Sequence, residues 1–171
     1  MILAVVLTGV FADGGAAYTT NVHVLLKGLV GPEFLHGVVD NNMLFSSKTI
    51  NGALDAAGVT FSYGYKTNNA LDGKMYMAVQ NFTNIDPNKS GTIQIKEIKI
   101  DGSTNFTITG DGILIFDGFT DNNILNSRTI FVKAAQDGNG ADYLGGAINN
   151  HKANAPHGNY QATLTFKYVG N

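Results

Sequence analysis

The stretch Tyr160-Gln161-Ala162-Thr163-Leu164-Thr165-Phe166-Lys167-Tyr168 constrains this chain more than any other. Tyr160, Ala162, Leu164, Phe166 and Tyr168 fall on one side of an extended backbone. Gln161, Thr163, Thr165 and Lys167 fall on the other. Successive side chains of a strand point to opposite faces. A period of two in aromatic and β-branched residues therefore predicts a strand with one face in a core and one in water.

The same rhythm recurs upstream. Val22, Val24, Leu26, Gly28 and Val30 alternate, as do Val59, Phe61, Tyr63 and Tyr65, and Met75, Met77 and Val79. Thr92 to Ile100 shifts phase after Ile95, which predicts a bulge near Glu97. Phe106–Ile108, Ile113–Phe116 and Thr129–Val132 complete the strand candidates. The pairs Asn51-Gly52, Asp72-Gly73, Asp101-Gly102, Asp111-Gly112, Asp117-Gly118 and Asp137-Gly138 are expected to break them, because Asx-Gly supplies the positive φ of tight turns. Short helical turns are expected at 51–57 and 141–147, and 134–157 reads as a long loop. Many short strands at this spacing predict an all-β fold, a sandwich or barrel. The chain has 171 residues, which suits one sandwich domain over 21–171 behind an N-terminal extension over 1–20.

Composition narrows the function classes. Only 14% of residues are charged and 21 are glycine, as in a turn-rich extracellular β protein. Net charge is −2, the lysines are scattered and Arg128 is the sole arginine. A nucleic-acid surface needs clustered cations, so no such partner is expected. There is no cysteine, hence no disulfide and no thiolate site. The apolar opening Met1–Ala12 reads either as the remainder of a secretory signal or as a strand. It is too short to span a bilayer, and both readings place the protein outside the cytoplasm.

Val5-Val6-Leu7-Thr8-Gly9-Val10-Phe11 runs apolar, x, apolar, x, Gly, x, apolar, and Val24 to Val30 repeats this rhythm. A mid-strand glycine marks a close approach by another group. The segment resembles the donor strand of fimbrial subunits assembled by donor-strand exchange. The C-terminus is similar to the same family: an alternating apolar strand, Gly158 fourteen residues from the end, and a late aromatic, Tyr168, although not a penultimate one. The resemblance implies an immunoglobulin-like β-sandwich completed by a strand from a neighbour. It implies a homopolymer of identical subunits at the cell surface, with a periplasmic chaperone and usher, serving adhesion or biofilm. Val5, Leu7, Gly9 and Phe11 would be the donor residues, or Val22, Val24, Leu26, Gly28 and Val30 if Met1–Ala12 is leader. Tyr160, Ala162, Leu164, Phe166 and Tyr168 would flank the acceptor groove.

Asp86-Pro87-Asn88-Lys89-Ser90-Gly91-Thr92-Ile93-Gln94-Ile95-Lys96-Glu97 resembles an EF-hand loop, with oxygen ligands at Asp86, Asn88, Ser90, Thr92 (carbonyl), Gln94 and Glu97. The following Ile98–Ile100 reads as strand rather than helix, so a solvated turn is the favoured reading and Ca2+ the alternative. No cofactor is otherwise expected. His23, His36, His151 and His157 lack ligand spacing, and no Gly-x-Ser-x-Gly elbow is present. A catalytic role is therefore not expected. Two other readings stay open: a biofilm matrix fibre subunit using strand donation without a dedicated chaperone, and a monomeric carbohydrate- or calcium-binding sandwich.

Overall fold

The computed structural model describes residues 33–170; both donor candidates, Val5–Phe11 and Val22–Val30, lie outside them, as does His23. The fold is all-β. The strands are β1 Phe34–Asp40, β2 Met43–Phe45, β3 Val59–Thr67, β4 Leu71–Val79, β5 Phe82–Asn84, β6 Thr92–Ile93, β7 Ile95–Ile100, β8 Ile108–Thr109, β9 Gly112–Phe119, β10 Asn126–Ala134, β11 Tyr160–Gln161 and β12 Leu164–Gly170. One sheet has the order β2-β1-β3-β10-β7, the second β12-β4-β9-β8, and a small third β11-β5-β6. All pairings are antiparallel. Among the described residues no helix is long and apolar enough to cross a membrane.

The inner faces follow from the alternation. Tyr63, Tyr65, Ile130 and Val132 come from the first sheet, and Met75, Met77, Ile113 and Ile115 from the second. Met75, Met77, Ile95 and Ile130 are fully buried. Phe82 and Ile93 of the third sheet join the same core. Two large sheets pressed face to face over interleaved side chains give a sandwich.

Several expectations are met at residue level. Lys133 pairs with Glu97 but Ala134 with Ile95, so Lys96 is the extra residue of a bulge. Burial alternates from Tyr160 through Tyr168. Others are corrected. Asp72-Gly73 and Asp117-Gly118 lie inside β4 and β9, which pair with each other through register shifts beside Leu71–Lys74. Their glycines (φ 157° and 81°) let both strands continue past a bulge, so both strands are longer than their alternation shows. The helical turns at 51–57 and 141–147 are absent. The first segment makes turns closed by Asp55 N–H to Gly52 O and Gly58 N–H to Asp55 O. In the second, Asp142 Oδ1 accepts from Leu144 and Gly146 N–H, while Ala141 and Ala147 form a bridge. A carboxylate that captures nearby amides competes with helix formation.

The long 134–157 segment is held down by Gln94. Its Oε1 accepts from Asn149 N–H (2.7 Å) and Asn150 N–H (2.9 Å), and its Nε2 donates to Asp142 Oδ2 and Ala147 O. One side chain thus supplies the polar partners that a long excursion needs to stay in place.

Candidate functional site

β12 lies at the end of its sheet. It pairs with β4 over its whole length, from Leu164↔Val79 to Gly170↔Gly73. Thr163 O accepts from Gln80 N–H, and Val169 O lies 2.6 Å from where a Cβ on Gly73 would sit. The odd-numbered residues therefore turn their main-chain groups toward β4. Main-chain direction alternates along a strand, so the N–H and C=O groups of Leu164, Phe166 and Tyr168 point to the free edge. Among the described residues nothing pairs with them.

The side chains of the same three residues point inward, yet each is only half-buried, in contrast to the sealed Met75 and Met77 on the neighbouring β4. Across the gap, β2 pairs with only Val38, Val39 and Asp40 of β1. Among the described residues the edge of β1 from Phe34 to His36 is thus also without a strand partner. An aromatic series bridges the two sheets at this opening. Tyr63 stacks on Phe166 at 3.5 Å and 7°. Phe34 lies 5.3 Å from Tyr168 and 5.0 Å from Phe119. Such contacts add to area burial by about 0.5–1.5 kcal/mol each.

Polar tips within this series are paired. His36 Nδ1 and Tyr63 Oη form a hydrogen bond of 2.6 Å. Burial lowers the His36 pKa and raises that of the Tyr63 hydroxyl, so both are neutral at pH ~7. Tyr168 Oη donates to Asp72 O at 3.0 Å. The opening is therefore apolar, with its few polar groups already satisfied.

The structure separates some of the residues expected to act together. Leu164, Phe166 and Tyr168 line the opening. Tyr160 lies in β11, pairs with Asn84 of β5, and donates its hydroxyl to Pro156 O. Ala162 sits in the break between β11 and β12. Gly158 has its own local reason: a Cβ there would collide with the Asn84 side chain. Phe34 and His36, which complete the opening, were missed because their strand carries apolar residues on both faces and shows no alternation.

Residues of the Asp86–Glu97 loop are engaged elsewhere. Asp86 Oδ1 accepts from Asn88 N–H and its Oδ2 is 3.5 Å from Lys89 Nζ. Asn88 and Ser90 are exposed in the turn, and Thr92 lies in β6. Glu97 sits on β7 with its carboxylate 2.9 Å from Lys99 Nζ. Gln94 is committed to the 142–150 segment, as described above. Among the described residues no three His, Cys, Asp or Glu side chains converge as metal ligands would. His151 is half-buried beside Gly138 and His157 is exposed.

No protein family, no curated protein and no solved structure matches this chain.

Proposed function

We propose that this chain is a structural subunit of an extracellular fibre, and that its subunits join by laying a donated strand along the free edge of β12. The observation that carries this reading is the mismatch within β12. Its inward residues pack against the core, but they are incompletely covered, and among the described residues the adjoining main-chain edge is unpaired. A long, flat, apolar edge is a template for another strand, and proteins otherwise blunt it with charge, proline or a bulge. Lys167 is the one charged residue on β12, and it lies on the outer face with its Nζ 2.9 Å from Asp111 Oδ1.

A strand seated here would gain main-chain hydrogen bonds worth about 0.5–1.5 kcal/mol each and would bury alternate side chains at about 25 cal/mol per Å2. This is strand addition to an open edge, with alternate residues giving specificity. The alternating segments Val5–Phe11 and Val22–Val30 have the required pattern. The completed sandwich would be the immunoglobulin-like arrangement that the fimbrial resemblance implies. Identical subunits are the partners, delivered by a chaperone and usher or, in a matrix fibre, without them. The role is structural rather than catalytic.

Negative-stain electron microscopy of the purified full chain tests the reading. Fibres are expected, and excess synthetic peptide covering residues 21–31 or 4–12 should shorten them by occupying the edge. Dispersed monomers that bind neither peptide would overturn it.

A further inference from the structure

We propose that the cleft on the other side of the sandwich, between β9 and β10, binds a neutral oligosaccharide. This inference stands apart from the fibre reading and rests on different residues. The cleft is open to solvent, offers about 700 Å3 and is lined by Asp101, Asn105, Phe106, Leu114, Asp117 and Arg128 among others. That volume lies in the range of small-ligand sites. A second cavity of about 340 Å3 adjoins it, and Phe106 lines both. Tyr143 lines the second. The two meet at the half-buried ring of Phe106, and the half-buried Tyr143 stands in the second.

The cleft is built, not loose. The segment after β7 reverses at Asp101 and Gly102, both at positive φ (50° and 80°). Ile100 and Ser103 then exchange main-chain hydrogen bonds. Asp101 Oδ2 accepts from Arg128 Nη1 at 2.7 Å, and its Oδ1 accepts from Thr129 N–H at 2.8 Å. Leu114 N–H donates to Thr107 O, tying the far end of the segment to β9. The Arg128 guanidinium rests 5.7 Å from the centre of the Phe116 ring. A wall fixed in advance loses little freedom when a ligand binds.

The chemistry of the lining selects the ligand class. In the first cavity each acid already has a cation: Asp101 has Arg128, and Asp117 Oδ1 is 3.0 Å from Lys74 Nζ. In that cavity the charges cancel locally, so neither an anion nor a cation gains a free partner there. An apolar ligand would strand these polar groups, which is costly. What remains available is neutral. The Asn105 amide and Thr107 hydroxyl make no side-chain hydrogen bond among the described residues. Ser103 Oγ accepts from Asn105 N–H and keeps its own O–H to donate. Sugar hydroxyls both donate and accept, and the C–H face of a sugar ring packs on an aromatic ring. Amide, hydroxyl and aromatic groups side by side match that pattern.

The test is equilibrium dialysis of the full chain, as monomer or fibre, against fluorescently labelled neutral hexasaccharides: cellohexaose, maltohexaose, mannohexaose and the chitin hexamer. At least one should bind saturably and be displaced by its unlabelled form. Asn105→Ala and Thr107→Ala, both exposed and free to fold, should each weaken it by about tenfold, whereas Thr165→Ala on β12 should not. No binding at millimolar sugar, or binding that neither cleft variant weakens, would overturn the inference.

Discussion

Along one side of the sandwich, β12 and β1 leave aromatic side chains half-covered beside main chain that is unpaired among the described residues. Along the other, β9 and β10 face a cleft whose acids and bases are already matched with one another. Both sides are gaps where a sheet stops short. They differ in what would close them. The first lacks apolar surface and main-chain partners, which another strand supplies. The second is also edged by strands, β7 and β9, but the side chains it offers are amide, hydroxyl and ring. A gap alone therefore says little, and the chemistry left unsatisfied within it says what fits.

The largest effect should come from Phe166→Asp. It removes the stack on Tyr63 and places a charge in the aromatic series. The expected loss is about 3 kcal/mol in urea unfolding, with polymers abolished. Asn105→Asp, an equal change in charge on the cleft side, should stay within about 0.5 kcal/mol. Equal losses would break the comparison, because the β12 side would then hold no more packing than the cleft wall.

Glycines sharpen it next. A Cβ at Gly73 would meet Val169 O at 2.6 Å and the Tyr168 hydroxyl at 2.8 Å, so Gly73→Ala must push β12 away from β4. Gly102, at φ 80°, has nothing within 4 Å of its Cβ position. Its substitution carries only the cost of the left-handed conformation, about 1 kcal/mol. Gly73→Ala should cost about 2 kcal/mol and loosen β12 in amide hydrogen exchange. If Gly102→Ala is the more damaging, then β12 is not held as tightly against β4 as these contacts require.

Much of the β12 side was legible in the chain itself. The alternation of Leu164, Phe166 and Tyr168 identified the strand and its inward face, because a period of two is a local property. That β12 stands at an edge is what the resemblance implied by setting it beside an acceptor groove; that β4 is its partner was not legible, since their pairing joins residues about ninety positions apart in the chain. Tyr160 belonged to the same alternation but left with β11, because Asn84 of β5 captures its main chain. Phe34 and His36 were silent in a strand apolar on both faces. The cue there was Asn41-Asn42, whose positive φ values (49° and 61°) make the two-residue turn of a hairpin. The cleft was not legible at all. Its walls come from β7, β9, β10 and the loop between β7 and β8, and no spacing in sequence encodes that meeting.

Acid should unfasten the two sides in separate windows. Burial lowers the His36 pKa below its ordinary 6.5. The unfolded chain then binds the proton more readily, so the contribution of His36 is present above pH 6.5 and is lost as pH falls through the lowered value. On the cleft side, burial pushes Asp101 upward. The Arg128 hydrogen bond, the Thr129 N–H and the Arg128 charge outweigh it, and its pKa ends below the ordinary 3.8. Its contribution is present above 3.8 and is lost only at lower pH. The urea midpoint should thus fall in two steps. His36→Gln should flatten the upper step alone, and Asp101→Asn the lower one alone. If His36→Gln leaves the upper step in place, the acid sensitivity does not arise at the β1–β12 opening.

The smallest expected effect concerns calcium. Glu97 lines the second cavity, so an ion held there would alter the cleft side and leave β12 untouched. To bind it, Asp86 would have to leave Lys89, and Glu97 would have to leave Lys99. Both are surface pairs worth at most about 1 kcal/mol, so breaking them is cheap. Gathering is the harder step. Asp86 follows β5 of the third sheet, whereas Glu97 sits on β7 of the first, and moving Glu97 inward would unpair it from Lys133. Millimolar calcium is therefore expected to leave the melting temperature unchanged within a degree or so, and Glu97→Gln to alter stability by no more than about 0.5 kcal/mol. A calcium-dependent rise that Glu97→Gln removes would show the loop rearranging around an ion. It would also add a charged site to the cleft side, and the neutral-ligand assignment would then have to be tested again with calcium present.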